Sequence, residues 1–187
     1  RRDDNSGGRI KRIDVATGVI KVIAGTGELG FSGDGGQAIN ARFGRPSAIA
    51  VDTNGNLFVA DTGNDRIRRI DATTGIITTV VGGGTSKDEG ILATQVSLGK
   101  PLGVLVDKDR NVFLSDTASS RVRVVEAKTN RIRTIAGKGR ADIGGDEGAA
   151  TNAGLTLPSG LALDSQGNLY IADIGNSSIR AIKGPII

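Results

Sequence analysis

The chain contains no histidine, no cysteine, no methionine and no tryptophan, and only five aromatic residues in 187. Without His or Cys, Ser-His-Asp and Cys-His catalysis are excluded within these residues. Zinc, copper, haem and iron–sulfur centres of the common kinds lose their ligands as well. Oxygen-ligand cations such as calcium or magnesium are the metals left open. No apolar run approaches the roughly 18 residues needed to cross a bilayer. Arg1-Arg2-Asp3-Asp4 is not followed by the apolar stretch of a signal peptide. The missing initiator methionine points to a processed chain or to a piece of a longer one. Charge is nearly balanced, with 24 Lys plus Arg against 20 Asp plus Glu. A net charge of +4 is modest for a surface that binds phosphates.

What is abundant is glycine, 29 residues, and what organises the chain is repetition. Pro46, Pro101 and Pro158 are separated by 55 and 57 residues. Asp52, Asp107 and Asp164 keep the same intervals, as do Asp61, Asp116 and Asp173. Upstream, Asp4, Arg9, Asp14 and Gly25 match Asp61, Arg66, Asp71 and Gly82 at an offset of 57. The units fall at residues 3–44 (the end of a unit and a connecting loop), 45–99, 100–156 and 157–187, within one architecture spanning 1–187.

Each unit predicts four short strands, because segments of five to seven residues rich in Val and Ile are bounded by turn residues. In the second unit these are residues 47–52, 56–61, 66–71 and 76–81. Asn54-Gly55 predicts a type I′ hairpin between the first two strands. Gly18, Gly75 and Asn130 share one place between the third and fourth strands, where a left-handed residue is expected. In the first strand Ile49 and Val51 point one way, Ala48 and Ala50 the other. One bulky and one small apolar face predict sheets stacked through both faces, since a solvated face would alternate apolar with polar. Phe58, Phe113 and Tyr170 share one position and are expected in the core. The prediction is all-β: a partial β-propeller of four-stranded antiparallel blades, with 13 strands in groups of two, four, four and three.

The segment Pro46-Ser-Ala-Ile-Ala-Val-Asp-Thr-Asn-Gly-Asn-Leu-Phe-Val-Ala-Asp-Thr-Gly-Asn-Asp-Arg-Ile-Arg-Arg-Ile-Asp71 resembles an NHL repeat. The segment Ala24-Gly-Thr-Gly-Glu-Leu-Gly-Phe-Ser-Gly-Asp-Gly-Gly-Gln-Ala38 resembles the inter-blade loop of bacterial and teneurin-like NHL propellers. The His that follows Asn in the family motif is Asp65 here, then Ser120 and Ser177. The resemblance implies a six-bladed ring, of which about 3.25 blades are present, and favours an extracellular or periplasmic setting. Such an arc is satisfied by the rest of a longer propeller, by a homodimer that closes the ring, or by neighbouring material in a larger complex.

Three sets of residues invite a chemical reading. Asp34, Asp88 and Asp146 lie in glycine-rich loops that could hold calcium, but the EF-hand spacing is absent. Capping of a short helical turn near Phe43, Leu98 and Leu155 is the better reading. Asp4/Arg9, Asp61/Arg66 and Asp116/Arg121 keep a spacing of five and are expected as structural ion pairs. Asp173, which has Ser178 in place of the Arg, is left as a lone carboxylate. The third strands are basic, and Arg66, Arg68, Arg121 and Arg123, with Arg131 and Arg133 on a fourth strand, form a candidate RNA-binding stripe. Against it, exposed aromatic stacking platforms are scarce. Asn176-Ser177-Ser178 is a possible glycosylation triplet. Because nearly every polar residue singled out recurs once per blade, a non-catalytic protein-interaction scaffold without a cofactor is expected. The alternative implied by the resemblance is part of a lactonase-like or lyase-like propeller whose metal site lies outside this chain.

Overall fold

The computed structural model describes residues 7–184 and 186. It contains 13 strands in four antiparallel sheets. The first sheet pairs β1 (Ile10–Ile13) with β2 (Ile20–Ala24). The second runs β3 (Ala48–Val51), β4 (Leu57–Asp61), β5 (Arg66–Ile70) and β6 (Ile77–Gly82) in sequence order. The third repeats this as β7 (Pro101–Val106), β8 (Val112–Asp116), β9 (Arg121–Val125) and β10 (Ile132–Ala136). The fourth has β11 (Pro158–Leu163), β12 (Leu169–Asp173) and β13 (Ser178–Ile182). The sheets are thus all-β propeller blades, and the strand grouping is the one the repeat spacing predicts.

The first strands stand side by side, β3 against β7 and β7 against β11, so consecutive sheets fan from a shared inner edge. Between the second and third sheets lies a core containing Phe58, Ile67, Val81, Leu98, Val104 and Leu114. Phe113, Val122, Leu155, Leu169 and Ile171 fill the gap between the third and fourth. Each fully buried Leu, Ile or Phe contributes about 1.5–3 kcal/mol. Phe43, Leu98 and Leu155, which follow the short 3-10 turns of the connecting loops, are all buried. Close approach explains Gly103: a Cβ there would stand 2.0 Å from the Ser159 carbonyl oxygen of the next blade. Threonine hydroxyls staple the blades at the same edge. Thr62 Oγ1 donates to the Pro101 carbonyl, and Thr117 Oγ1 to the Pro158 carbonyl, each at 2.7 Å.

Three expectations are corrected. The Asn54-Gly55 hairpin is not type I′, which needs positive φ at both central residues. Only Gly55 (φ 82°) is left-handed, and Asp52 closes a three-residue loop through its bonds with Gly55 and Asn56. That is a type I turn completed by a left-handed residue. Asp52 Oδ1 accepts from the Asn54 and Asn56 N–H groups and Oδ2 from Asn56 Nδ2. Asn56 Oδ1 in turn accepts from the Ala72 N–H, locking one hairpin to the next. In the third sheet the left-handed position is Arg110 (φ 68°) rather than glycine. The expected left-handed residues between third and fourth strands are present at Gly18, Gly75 and Asn130.

The second correction concerns burial. The third sheet is covered on both faces, but the second is open along β3 and the fourth over its outer face. Ile49 and Val51 are 47% and 58% exposed, and Ile179 is 70% exposed. The third follows from it: Phe58 and Phe113 are core residues, whereas Tyr170 lies on the open face of the fourth sheet. Nothing packs against that face among the described residues.

Candidate functional site

The polar chemistry of the chain is concentrated in one unit built three times. Asp61 ends β4, and its side chain is fully buried. Oδ1 accepts from the Gly44 N–H at 2.6 Å and Oδ2 from Asn64 Nδ2 at 2.8 Å. The guanidinium of Arg68, itself fully buried, lies 3.6 Å away. Arg68 then reaches a second carboxylate, Asp34 of the connecting loop, through Nε at 3.1 Å and Nη2 at 2.7 Å. It also donates to the Arg42 and Ser32 carbonyls. The other oxygen of Asp34 accepts from the N–H and hydroxyl of Thr79 on β6, at 3.0 and 2.6 Å. One arginine therefore ties the end of strand two, the connecting loop and strand four into one clamp.

The third sheet repeats it with Asp116, Arg123, Glu89 and Thr134. The fourth repeats it with Asp173, Arg180 and Asp146. Burial pushes the Asp61 and Asp116 carboxyls above the usual range, against the opposing pull of their hydrogen bonds and arginines. Desolvation outweighs the pairing because both partners have left water.

These contacts revise several sequence expectations. The partner of Asp61 is Arg68 and not Arg66, and that of Asp116 is Arg123 and not Arg121. Asp61 and Arg66 are opposite each other in the strand register, as are Asp116 and Arg121. Their side chains nonetheless diverge: Arg66 stacks on Phe31, 3.9 Å from the ring centroid, and Arg121 lies beside Gly139. Asp173 is not a lone carboxylate, since Arg180 stands 3.6 Å from it. Asp4 lies outside the described residues, and Arg9 donates to the Thr26 carbonyl.

Asp34 and Asp146 do not cap a helical turn; both face arginines. The second clamp uses Glu89, while Asp88 bonds Ser86. Asp34, Glu89 and Asp146 each have a guanidinium as counter-charge. The basic stripe is interrupted and its members are engaged within the fold. Arg68 and Arg123 are buried, Arg131 bonds the Gly90 carbonyl, and Arg133 bonds Glu126 and the Ile186 carbonyl. The amide nitrogen of Asn176 donates to Asp142 and Asp173, so the glycosylation triplet is spent on the fold.

The clamp was legible in the numbering. Asp34, Glu89 and Asp146 each precede their arginine by 34 residues, and Arg68, Arg123 and Arg180 keep the 55- and 57-residue intervals.

Comparison with known proteins agrees with this architecture. The profile of the teneurin NHL domain matches residues 9–88, and that of the NHL repeat matches residues 155–182. The chloroplastic protein SUPPRESSOR OF QUENCHING 1 of Arabidopsis thaliana is 31% identical over 184 residues, covering 93% of this chain and 17% of the relative. NHL repeat-containing protein 2 of Bos taurus is 30% identical over 156 residues, covering 76% and 21%. The chain thus spans about a fifth or less of these relatives. A Bacteroides thetaiotaomicron protein of unknown function superposes with a TM-score of 0.74 at 21% identity, covering 94% of this chain and 42% of that one. Streptogramin B lyase (TM-score 0.60, 16% identity, 96% and 46% covered) has the same fold, as has a gluconolactonase from Xanthomonas campestris (0.64, 19%, 98% and 54%). At these identities the solved structures speak to the fold alone, and that fold serves enzymes and other proteins alike. Repeated sequence, sheet topology and both profile matches agree: the chain belongs to the NHL-repeat β-propeller family.

Proposed function

We propose that the chain is a non-catalytic protein-interaction scaffold. The observation that carries this reading is a change of character at one end of the fourth sheet. Two positions turn apolar there while remaining exposed, next to a third that is apolar in the first connecting loop as well. That third is Ile143 (74% exposed), which stands where the earlier loops have Phe31 and Ser86. Leu157 (52%) stands where earlier units have Arg45 and Lys100, and Ile174 (58%) where they have Thr62 and Thr117. The backbone around them is held together. Thr156 Oγ1 and Asn176 Nδ2 both donate to the Asp142 carbonyl, and the Gly175 N–H donates to the Thr156 carbonyl. Exposed apolar side chains on a braced loop cluster suit a protein partner, because rigid loops bind with little ordering cost. The buried acids, by contrast, serve the repeated clamp (Asp61, Asp116 and Asp173) or a hairpin lock (Asp52).

Cross-linked pull-down with the intact chain and with an I143D/L157D/I174D variant tests this. The expected result is a partner captured by the first and lost by the second, with both folded. Turnover of a lactone by the purified chain, with no partner dependent on these three residues, would refute the reading.

A further inference from the structure

The turn at residues 62–65, between β4 and β5, has a cation on three sides. Arg45 follows Gly44, whose carbonyl accepts from the Gly63 N–H of the turn. Lys100, at the start of the next sheet, gives its N–H to Asp65 Oδ1 at 2.7 Å. Arg66 leaves the turn and opens β5. Among the described residues none of these three side chains is paired with a carboxylate. Arg66 stacks on Phe31, while Arg45 and Lys100 extend from exposed positions. Asp65 is the one acid of the turn, and its Oδ1 serves the Lys100 backbone. The opposite end of the same sheets is different. There Arg69 is paired with Asp71 and Arg133 with Glu126.

Arg45 and Lys100 share a second property. Both are left-handed, with φ of 58° and 50°. A residue with a Cβ adopts that conformation at a cost that glycine escapes. Two blades therefore hold a long cation where glycine would suit the backbone better, and backbone strain of this kind collects at binding sites. These residues belong to the second and third sheets, each of which packs against a sheet on either side.

We propose that this end of the second and third sheets binds an acidic segment of a partner protein. Arg45, Lys100 and Arg66 receive its carboxylates. Phe31, 43% exposed beside the Arg66 guanidinium, receives an apolar side chain. Stacking on Phe31 fixes the plane of that guanidinium, and a fixed fork of N–H donors matches a carboxylate. Three cations around one turn complement a short run of acids. Nucleic acid calls for a longer track of charge and more exposed aromatic rings. Leu157 of the apolar cluster holds the same place as Arg45 and Lys100 on the same left-handed backbone (φ 54°). One row along the inner edge thus carries both the cationic and the apolar contacts. The inference rests on the scaffold reading for the class of partner and adds the partner's chemistry.

Fluorescence anisotropy with a labelled peptide of about 15 residues, built from Glu and Leu, tests it on the intact chain at low and physiological salt. The expected result is saturable binding that weakens as salt rises. The double variant Arg45→Gly, Lys100→Gly removes two cations and suits the left-handed backbone. It should weaken binding about tenfold while raising Tm by about 2–4 °C per site. Asp65→Asn keeps an acceptor for the Lys100 N–H, removes the acid of the turn, and should tighten binding about two- to fivefold. Peptide binding equal in the intact chain and the double glycine variant overturns the proposal, as does the absence of binding at low salt. An oligouridylate of the same charge that binds more tightly than the peptide would assign the surface to nucleic acid and equally overturn it. None of these variants alters Ile143, Leu157 or Ile174. Capture of a partner through those three residues, without binding of the acidic peptide, would therefore overturn this proposal alone.

Discussion

Replacing Arg68 by methionine tests the clamp most directly. Arg68 and Asp61 are both fully buried, and the Arg68 guanidinium faces Asp61 at 3.6 Å and Asp34 at 2.7 Å. Methionine fills much of the same volume but leaves a buried carboxylate without its cation and strands the Ser32 and Arg42 carbonyls. Breaking a buried pair from one side costs about 3–5 kcal/mol. For a chain of this size that is a fall of about 6–20 °C in Tm. Arg66→Met is the control. Arg66 stacks on Phe31, and loss of that contact costs about 0.5–1 kcal/mol. Urea titrations of both variants at pH 7 and at pH 4.5 provide the assay. Burial already holds the Asp61 carboxyl above its usual range, and removal of Arg68 raises it further. A folded-state value above the unfolded one makes folding take up protons, so the penalty shrinks as pH falls. The Arg68→Met deficit is therefore expected to be smaller at pH 4.5 than at pH 7. Equal losses for the two variants, or a deficit unchanged with pH, would refute the assignment of Arg68 as the charge partner.

Arg110 occupies a left-handed position that glycine fills in the two equivalent hairpins, so Arg110→Gly should raise stability by about 1 kcal/mol in the same titration. Gly103→Ala places a Cβ 2.0 Å from the Ser159 carbonyl and should cost about 1–3 kcal/mol, whereas Gly160→Ala, 3.7 Å from Ala172, should leave the stability of the monomer unchanged. The Thr74 N–H and hydroxyl, ahead of the Thr73 N–H and Arg69, hold the Asp71 carboxyl down to about 2. Its stabilising contribution is present above the ordinary carboxylate range near pH 4 and is lost as pH falls towards about 2. Asp71→Asn should therefore flatten the acid limb of a urea-midpoint profile between those values while altering its neutral end less steeply with pH.

The intervals of 55 and 57 residues determined the strand number, the sheet grouping and the left-handed turns at Gly18, Gly75 and Asn130. These are local properties: short apolar segments alternate, and turn residues recur, wherever the chain reverses. Strand parity went one step further, placing Asp61, Arg66 and Arg68 on one face of a hairpin. It could not choose between the two arginines. That choice belongs to the connecting loop, which brings Asp34 and the Ser32 and Arg42 carbonyls over Arg68, while Arg66 is drawn to Phe31. The same holds for charge: six arginines read as a basic stripe, but folding turned two of them into the core and engaged the others in contacts within the fold. Tyr170 shares a sequence position with Phe58 and Phe113, yet its surroundings depend on which sheet follows its own, and that is a fact of tertiary stacking that no local pattern contains.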